Sequence, residues 1–430
     1  MMGTLGLGIA GLGTVGAGVV DVVKRHRDLL SCRCGRAIEI TAVSARDRNR
    51  DRGVDLSGFR WADDASDLAS DPEVDVVVEL IGGEEGIALD LVETALKNGK
   101  HVVTANKALL AVHGTKLAEL ADSTGVHVGY EAAVAGGIPI IKALREGLAG
   151  NRISRVYGIL NGTSNYIMTA MREDGWAFAD VLAEAQRLGY AEADPTLDIG
   201  GGDAAHKLAI MASIAFRRPV DFDSVHVEGI QAITPMDIEF AQEFGYRIKL
   251  LGIAQETEHG IEQRVHPCMV PLSGPIAHVD GVFNAAVVEG DFVDATTYVG
   301  RGAGAGPTAS AVMADVVDIA RGTRLPMFNV SASELVASPA VSIDRRNGAY
   351  YIRLMVLDRP GVIADVSAVL RDENISLGSL IQRGRDPETQ VPVVMTTHEA
   401  EEAAMRRALE RIADLDSVTE APMTIRIEEL

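Results

Sequence analysis

Apolar residues change rhythm along the chain, and each change marks the edge of an element. Leu5 to Ile9 is a short apolar run; after a cluster of glycines, Val15, Val19, Val22 and Val23 recur at helical spacing. A second strand is predicted over Ile38 to Val43. Val74 to Ile81 (VDVVVELI) is almost continuously apolar, as in a strand covered on both faces, and Asp71-Pro72 and Gly82-Gly83 bound it. A helix from about Leu89 to Asn98 and a strand from His101 to Thr104 follow. This alternation predicts a doubly wound parallel sheet over residues 1–130.

Beyond Tyr130 the pattern turns to Gly-rich turns, helices near Phe178 to Leu188 and Asp203 to Phe216, and alternating stretches such as Arg247 to Ala254. That mixture predicts an α+β domain over residues 131–306, suited to catalysis and dimerisation. Gly300 to Gly306 (GRGAGAG) leads into Pro307 and a helical run, expected over about 307–325 and returning to the first domain. Residues 329–347 are rich in Ser, Ala and Pro without a period, so they read as a linker. Residues 348–430 form one βαββαβ unit. Its strands are Tyr350 to Leu357, Ile375 to Ile381, Val391 to Thr397 and Pro422 to Ile427, and its helices are Val362 to Asp372 and Glu399 to Ala413.

Composition narrows the partners. The 430 residues carry 40 Lys and Arg against 61 Asp and Glu, a formal charge of −21 that repels nucleic acid and anionic lipid. No apolar run approaches the roughly 18–20 residues that span a bilayer. The apolar start lacks a basic leader and runs into patterned structure, so a cytoplasmic protein is expected. Cys32, Cys34 and Cys268 are too few and oddly numbered for a disulfide framework, and no second pair completes a zinc site with Cys32 and Cys34.

Gly11-x-Gly13-x-x-Gly16 lies directly between a strand and a helix, where this motif binds dinucleotides in a Rossmann-type fold. Gly11 allows the tight turn and Gly13 lets backbone reach the pyrophosphate. Gly16 lets helix and strand pack, and the amides of the helix start at Thr14 and Val15 meet the anion. An acidic residue ending the second strand would favour NAD(H). Here Ser44, Arg46 and Arg48 stand there, favouring NADP(H), while Asp47 leaves NAD(H) open.

Thr104-Ala105-Asn106-Lys107 ends a strand, so Lys107 projects from the sheet's carboxyl edge; taken alone, it reads better as a surface lysine capping a helix. A second constellation runs from Gly189 through Glu192, Asp194 and Asp198 to Asp203 and Lys207. Asp203 and Lys207 are one helical turn apart and share a face. A negative cluster suits a substrate bearing an ammonium group, and a lysine can protonate an alkoxide as it forms. Two lysines converging here are expected to lower each other's pKa.

GLGTVG, HVVTANKALLA, YEAAVAGGIPII, NGTSNYI (Asn161 to Ile167) and GYAEADPTLDIGGGDAAHKLAI, in this order over about residues 1–325, resemble homoserine dehydrogenase. Leu80 and Ile81 depart from the family's usual residues after the strand 74–81. The resemblance implies reversible NAD(P)H-dependent reduction of L-aspartate 4-semialdehyde to L-homoserine, toward threonine, methionine and isoleucine. It implies Lys207 as proton donor and Asp203 as its partner. Glu192 would hold the substrate amino group, with Asp198 beside it. Thr104 and Lys107 would lie between nicotinamide and substrate, with Gly189 and Gly306 against the cofactor. It further implies a monovalent cation, Na+ or K+, on Glu131 and the carbonyls of Val134, Gly136 and Ile138. A homodimer or homotetramer is the expected assembly.

The βαββαβ unit, with Asp358-Arg359-Pro360-Gly361 at its first turn, is similar to an ACT domain. The resemblance implies threonine as a feedback effector, and removal of residues 345–430 is expected to leave activity while abolishing inhibition. Two other readings fit less. An aspartate-semialdehyde dehydrogenase needs a cysteine nucleophile in a loop before a helix, which none of the three supplies. A non-catalytic NAD(P)- and amino-acid-binding sensor has no need of Lys107, Asp203 and Lys207 together.

Overall fold

In the computed structural model, which describes residues 3–383 and 390–430, the N-terminal apolar runs become a six-stranded sheet. Its strands are β1 (Leu5–Ala10), β2 (Ile38–Ser44), β3 (Arg60–Trp61), β4 (Val76–Glu79), β5 (His101–Thr104) and β6 (Val128–Gly129). They lie in the order β3-β2-β1-β4-β5-β6, with every pair parallel. The chain's winding reverses between β1 and β4, so their carboxyl ends border the crevice where such sheets bind ligands. The buried Val76, Val77 and Val78 explain the continuous apolar run, since helices cover both faces. β3 and β6, two residues each, carry no periodicity from which to predict them. Helix Ala305–Arg321 packs on helix Thr14–Arg25, and Ala309, Val312 and Val316 share one core with Leu7, Ile9, Val19 and Val20.

The second domain's strands are β7 (Ile153–Ile159), β8 (His226–Val227), β9 (Tyr246–Thr257), β10 (Gly260–Pro271), β11 (Phe283–Gly290) and β12 (Asp294–Arg301). They run β12-β11-β7-β9-β10, antiparallel, with β8 parallel to β10. Helix Gly202–Phe216 lies in the core of this domain, with nearly every residue buried.

The C-terminal unit contributes β13 (Asn347–Gly348), β14 (Tyr350–Leu357), β15 (Leu377–Gln382), β16 (Gln390–Thr397), β17 (Ala400–Glu401) and β18 (Met423–Ile427). β18, β14, β16 and β15 are antiparallel. Tyr350, Ile352 and Leu354 pack with Val366, Leu370, Met405 and Ile412 of the unit's two helices. The alternate residues Tyr351, Ile425 and Ile427 join the core of the second domain. The sheet is not free-standing: β18 pairs in parallel with β10 through Cys268–Arg426 and Met269–Ile427, making one ten-stranded sheet.

Buried ion pairs weld this joint. Glu428 accepts from Arg346 Nε at 3.0 Å and from Arg264 Nη2 at 3.1 Å, and Arg353 Nε donates to Asp237 at 2.7 Å. Removing one partner of such a pair costs about 3–5 kcal/mol. Cutting the chain at residue 345 strips β18 from β10, takes Glu428 from Arg264, which keeps Glu262, and takes Arg353 from Asp237. The expectation that removal of residues 345–430 spares activity therefore has to contend with a joint that shares one sheet and buried ion pairs with the catalytic domain. Among the described residues, no helix is long and apolar enough to cross a membrane.

Candidate active site

The glycine turn divides its labour by space. Gly11 has φ +97°, and a Cβ there would lie 2.4 Å from the Leu80 carbonyl oxygen; a Cβ on Gly16 would lie 2.1 Å from that of Gly11. Only hydrogen fits at either position. Around Gly13 nothing lies within 4 Å of a Cβ, so its backbone is open to a ligand at the start of helix Thr14–Arg25, where Thr14 is exposed and Val15 half-buried. A groove of about 790 Å³ runs from Gly11 and Gly13 past Ser44 to Arg46 and Arg50, with Leu80 and Ile81 on its other wall.

The basic stretch after β2 divides by role. Arg52 Nε donates to the Leu12 carbonyl at 2.9 Å, bracing the turn, and Arg48 stacks over Trp61 at 5.3 Å. Arg46 and Arg50 face the groove, where Asp47 and Arg52 also line it, and Ser44 occupies the end of β2. Asp47 accepts from the Asn49 amide at 2.9 Å, a local turn contact.

Across the crevice, the end of β5 is organised by two residues that sequence reasoning passed over. Buried Glu79 accepts from Thr104 Oγ1 at 2.6 Å and from the Ile81 and Gly82 amides at 2.8 and 3.0 Å. Asn106 accepts from the Leu109 amide at 3.1 Å and so caps helix Lys107–Thr124. Lys107 is thereby the first residue of that helix, aimed out of the sheet. A lone acid ending a buried apolar strand was the available signal for Glu79.

Asp203 is the hub of the site. Lys207 Nζ donates to Asp203 Oδ2 at 2.6 Å and to the Leu160 carbonyl at 2.7 Å, and Lys107 Nζ lies 3.0 Å from Asp203 Oδ1. Asn161 Nδ2 donates to both Asp203 Oδ2 and Asp198 Oδ1 at 2.8 Å. Burial pushes the Asp203 carboxyl up, but Lys207 and Lys107 outweigh it and hold it below the ordinary carboxylate range. Asp203 in turn raises the pKa of Lys107, against burial, with smaller contributions from Asp198 and Glu192. The expected mutual lowering of the two lysines fails for Lys107, because a carboxylate sits between them. Burial, then Asp203, pushes Asp198 up.

Glu192 is exposed and reaches Lys107 through its charge. Gly189 forms a left-handed turn at φ +75° after helix Phe178–Arg187, and Gly306 lies in the first turn of helix Ala305–Arg321; neither lines the groove. Glu131 is buried, and its two oxygens accept from the Ile141 and Lys142 amides at 2.9 and 2.8 Å. Burial and then Asp315 push it up to about 7. The Ile138 carbonyl accepts from the Ile140 amide at 2.8 Å, whereas no backbone amide among the described residues donates to the carbonyls of Val134 and Gly136.

A nucleotide-binding turn on one side of a crevice, joined by Lys107 to a buried lysine–carboxylate pair on the other, suits hydride transfer coupled to proton transfer. That is the work of an NAD(P)-dependent oxidoreductase. Models of the homoserine dehydrogenase NAD-binding domain, of homoserine dehydrogenase and of the ACT domain match residues 11–131, 139–317 and 350–416. Homoserine dehydrogenase of Pseudomonas aeruginosa is 47% identical over 431 residues, 99% of each chain, and that of Neisseria gonorrhoeae 47% over 435 residues, 100% of each. A solved homoserine dehydrogenase from Thiobacillus denitrificans has a TM-score of 0.94 at 47% identity, covering 99% of this chain and 98% of that one. The chain belongs to the homoserine dehydrogenase family, whose reaction interconverts L-aspartate 4-semialdehyde and L-homoserine with a nicotinamide cofactor.

Proposed function

We propose that Lys207 protonates the alkoxide formed on reduction and receives that proton in the reverse direction. The observation that carries this is its hydrogen bonding: an ammonium has three N–H donors, and Leu160 and Asp203 take two. The third remains for a substrate oxygen. The bound nicotinamide supplies or takes the hydride. Asp203 holds Lys207 in register, and Lys107, kept cationic by Asp203, adds positive charge where the alkoxide develops. Asp198 and Glu192 present negative charge to the substrate ammonium. The measurement that tests this reading is the turnover of a Lys207→Ala variant.

The residues also fit NADP(H) over NAD(H), since Ser44 leaves room at the end of β2 and Arg46 and Arg50 line the groove. Thr14 and Val15 offer amides to the pyrophosphate, while Thr104 acts from beneath, its hydroxyl bonded to Glu79 at the end of β5; a place for Gly189 and Gly306 against the cofactor rests on the resemblance, since neither lines the groove. An Arg46→Ala variant should lose about 10- to 100-fold in kcat/KM for NADP(H), as the roughly 1.5–3 kcal/mol of a charge-assisted hydrogen bond implies. Its kcat/KM for NAD(H) should stay unchanged, and parallel cofactor titrations check both.

A monovalent cation, Na+ or K+, suits Glu131 with the carbonyls of Val134, Gly136 and Ile138, because the carbonyls of Val134 and Gly136 accept from no backbone amide among the described residues. The exposed edge strand β12, with Val299 56% exposed, and Phe292, 84% exposed in the turn before it, support a homodimer or homotetramer. Three free cysteines accord with the cytoplasm.

The ACT unit is read as a threonine sensor acting by feedback. Its turn at Gly361 has φ +102° and nothing within 4 Å of a Cβ, an open helix start suited to a small amino acid. An Asp358→Ala variant should keep its uninhibited rate while needing roughly tenfold more threonine for half-inhibition. Indifference of the wild-type enzyme to threonine would remove this part of the reading.

A further inference from the structure

We propose that Arg426 is a positioning residue for the amino-acid substrate: through Glu228 it holds the segment that joins Asp198 to Asp203, and it ties that segment to the second helix of the ACT unit. This rests on Asp198 and Asp203 forming the substrate pocket, as read above.

Arg426 lies on β18, its side chain 7% exposed, and its guanidinium forks between two carboxylates. On one side Nη1 and Nη2 donate to Glu228 Oε2 and Oε1 at 2.7 and 2.8 Å. On the other, Nε and Nη2 donate to Glu402 Oε2 and Oε1 at 2.9 and 2.5 Å. Glu402 opens helix Glu402–Ala413, and it also accepts from Tyr350 Oη at 2.8 Å. One buried cation therefore registers the start of an ACT helix against a residue of the catalytic domain.

Glu228 stands on the segment 226–230, which packs directly against the substrate loop. The Glu228 amide donates to the Val265 carbonyl at 2.8 Å, and the Ile230 amide donates to the Ile199 carbonyl at 2.9 Å. At Gly229 a Cβ would lie 2.4 Å from the Ile199 carbonyl oxygen and 2.8 Å from Gly200 Cα; at Gly201 it would lie 3.3 Å from the Glu228 carbonyl oxygen. The two backbones are hydrogen-bonded to each other and closely packed, with the side chains of Gln231, Val227 and Val265 filling the space beside them. Ile199 to Gly202 separates Asp198 from Asp203, the two acids bridged by Asn161. A displacement of Glu228 thus reaches both substrate carboxylates without crossing a loose contact.

His226 Nε2, 2.7 Å from Glu228 Oε1, supports the carboxylate from its own strand. It leaves the fork to Glu402 untouched, so Arg426 alone joins the two domains at this point. The planar fork explains why arginine serves here: a lysine ammonium has no geometry for two bidentate carboxylates.

The test is steady-state kinetics of the full-length chain in the homoserine-oxidising direction, with Arg426→Met, Arg426→Lys, Glu228→Gln and the double variant Arg426→Met/Glu228→Gln. The expected result is a homoserine KM raised roughly fivefold or more, the lower range of coupling between sites. The cofactor KM stays within about twofold and kcat changes little. Arg426→Lys falls between wild type and Arg426→Met, and the double variant adds little to either single one. An unmoved homoserine KM, or a rise of both KM values together, overturns the proposal. Glu402→Gln, which keeps Glu228 in place, serves as a milder variant if Arg426→Met melts early. Asp198→Asn separates the two readings. If it raises the homoserine KM while Arg426→Met does not, the coupling alone fails; if it leaves that KM unmoved, the loop does not hold substrate and both fall.

Discussion

A Lys207→Ala enzyme should fold and bind cofactor yet reduce aspartate semialdehyde about 10²–10⁴-fold more slowly, the range that a positioned general acid contributes. The change removes the donor whose third N–H is unspent, and Lys107 cannot replace it. Lys107 is fixed to the opposite oxygen of Asp203 and held cationic by it. The fold tolerates the loss because Asp203 keeps Asn161 and Lys107 as partners, so no buried charge is left alone. NADPH oxidation by wild type and variant at saturating substrate, with cofactor KM measured alongside, reads the effect. Equal turnover in the two would remove Lys207 from the chemistry. A loss confined to KM would make it a binding group only.

Two substitutions in the glycine turn should fail in opposite ways. Gly13→Val adds methyl groups to open space, at φ −75° in extended backbone, so the thermal midpoint should barely move. Cofactor KM should nevertheless rise on the order of 100-fold, because those groups stand where the pyrophosphate must touch backbone and the change forfeits several hydrogen bonds to an anion. Gly16→Ala instead forces a Cβ to within 2.1 Å of the Gly11 carbonyl oxygen. Its cost should be folding stability, about 1–3 kcal/mol or more as for other overpacked sites. Thermal unfolding and cofactor titration of both variants separate the two outcomes. A Gly13→Val enzyme with native cofactor affinity would show that the pyrophosphate does not lie against this turn.

Much of the architecture was legible because it is local. The helix carrying Asp203 and Lys207, the strand ending at Thr104 and the ACT unit's strands and helices announce themselves through periodicity and turn residues, and observed bounds depart from expected ones by a few residues at most. The two-residue strands β3 and β6 were invisible, since neither is long enough to show a period. Glu79, Asn106 and Asn161 were not assigned roles for a different reason. Glu79 and Asn161 act on partners distant in sequence, Thr104 and Asp203, that nothing in their own neighbourhood marks, whereas Asn106 is a local cap of a helix for which no period had been read.

From the chain alone came the Gly11–Gly13–Gly16 turn, the shared face of Asp203 and Lys207, and the segmentation into dinucleotide-binding, catalytic and ACT regions. These depend on spacing within one element, where helix and strand geometry translate sequence distance directly into direction. Only the tertiary structure decided that Lys107 meets the far oxygen of Asp203, that this contact raises rather than lowers its pKa, and that Arg52 braces the turn while Arg46 and Arg50 face the groove. It likewise decided that β18 completes the catalytic sheet. Charges act through space and are weighed by burial, and a sheet edge takes whichever strand the packing delivers. Neither quantity is written in the local order of residues.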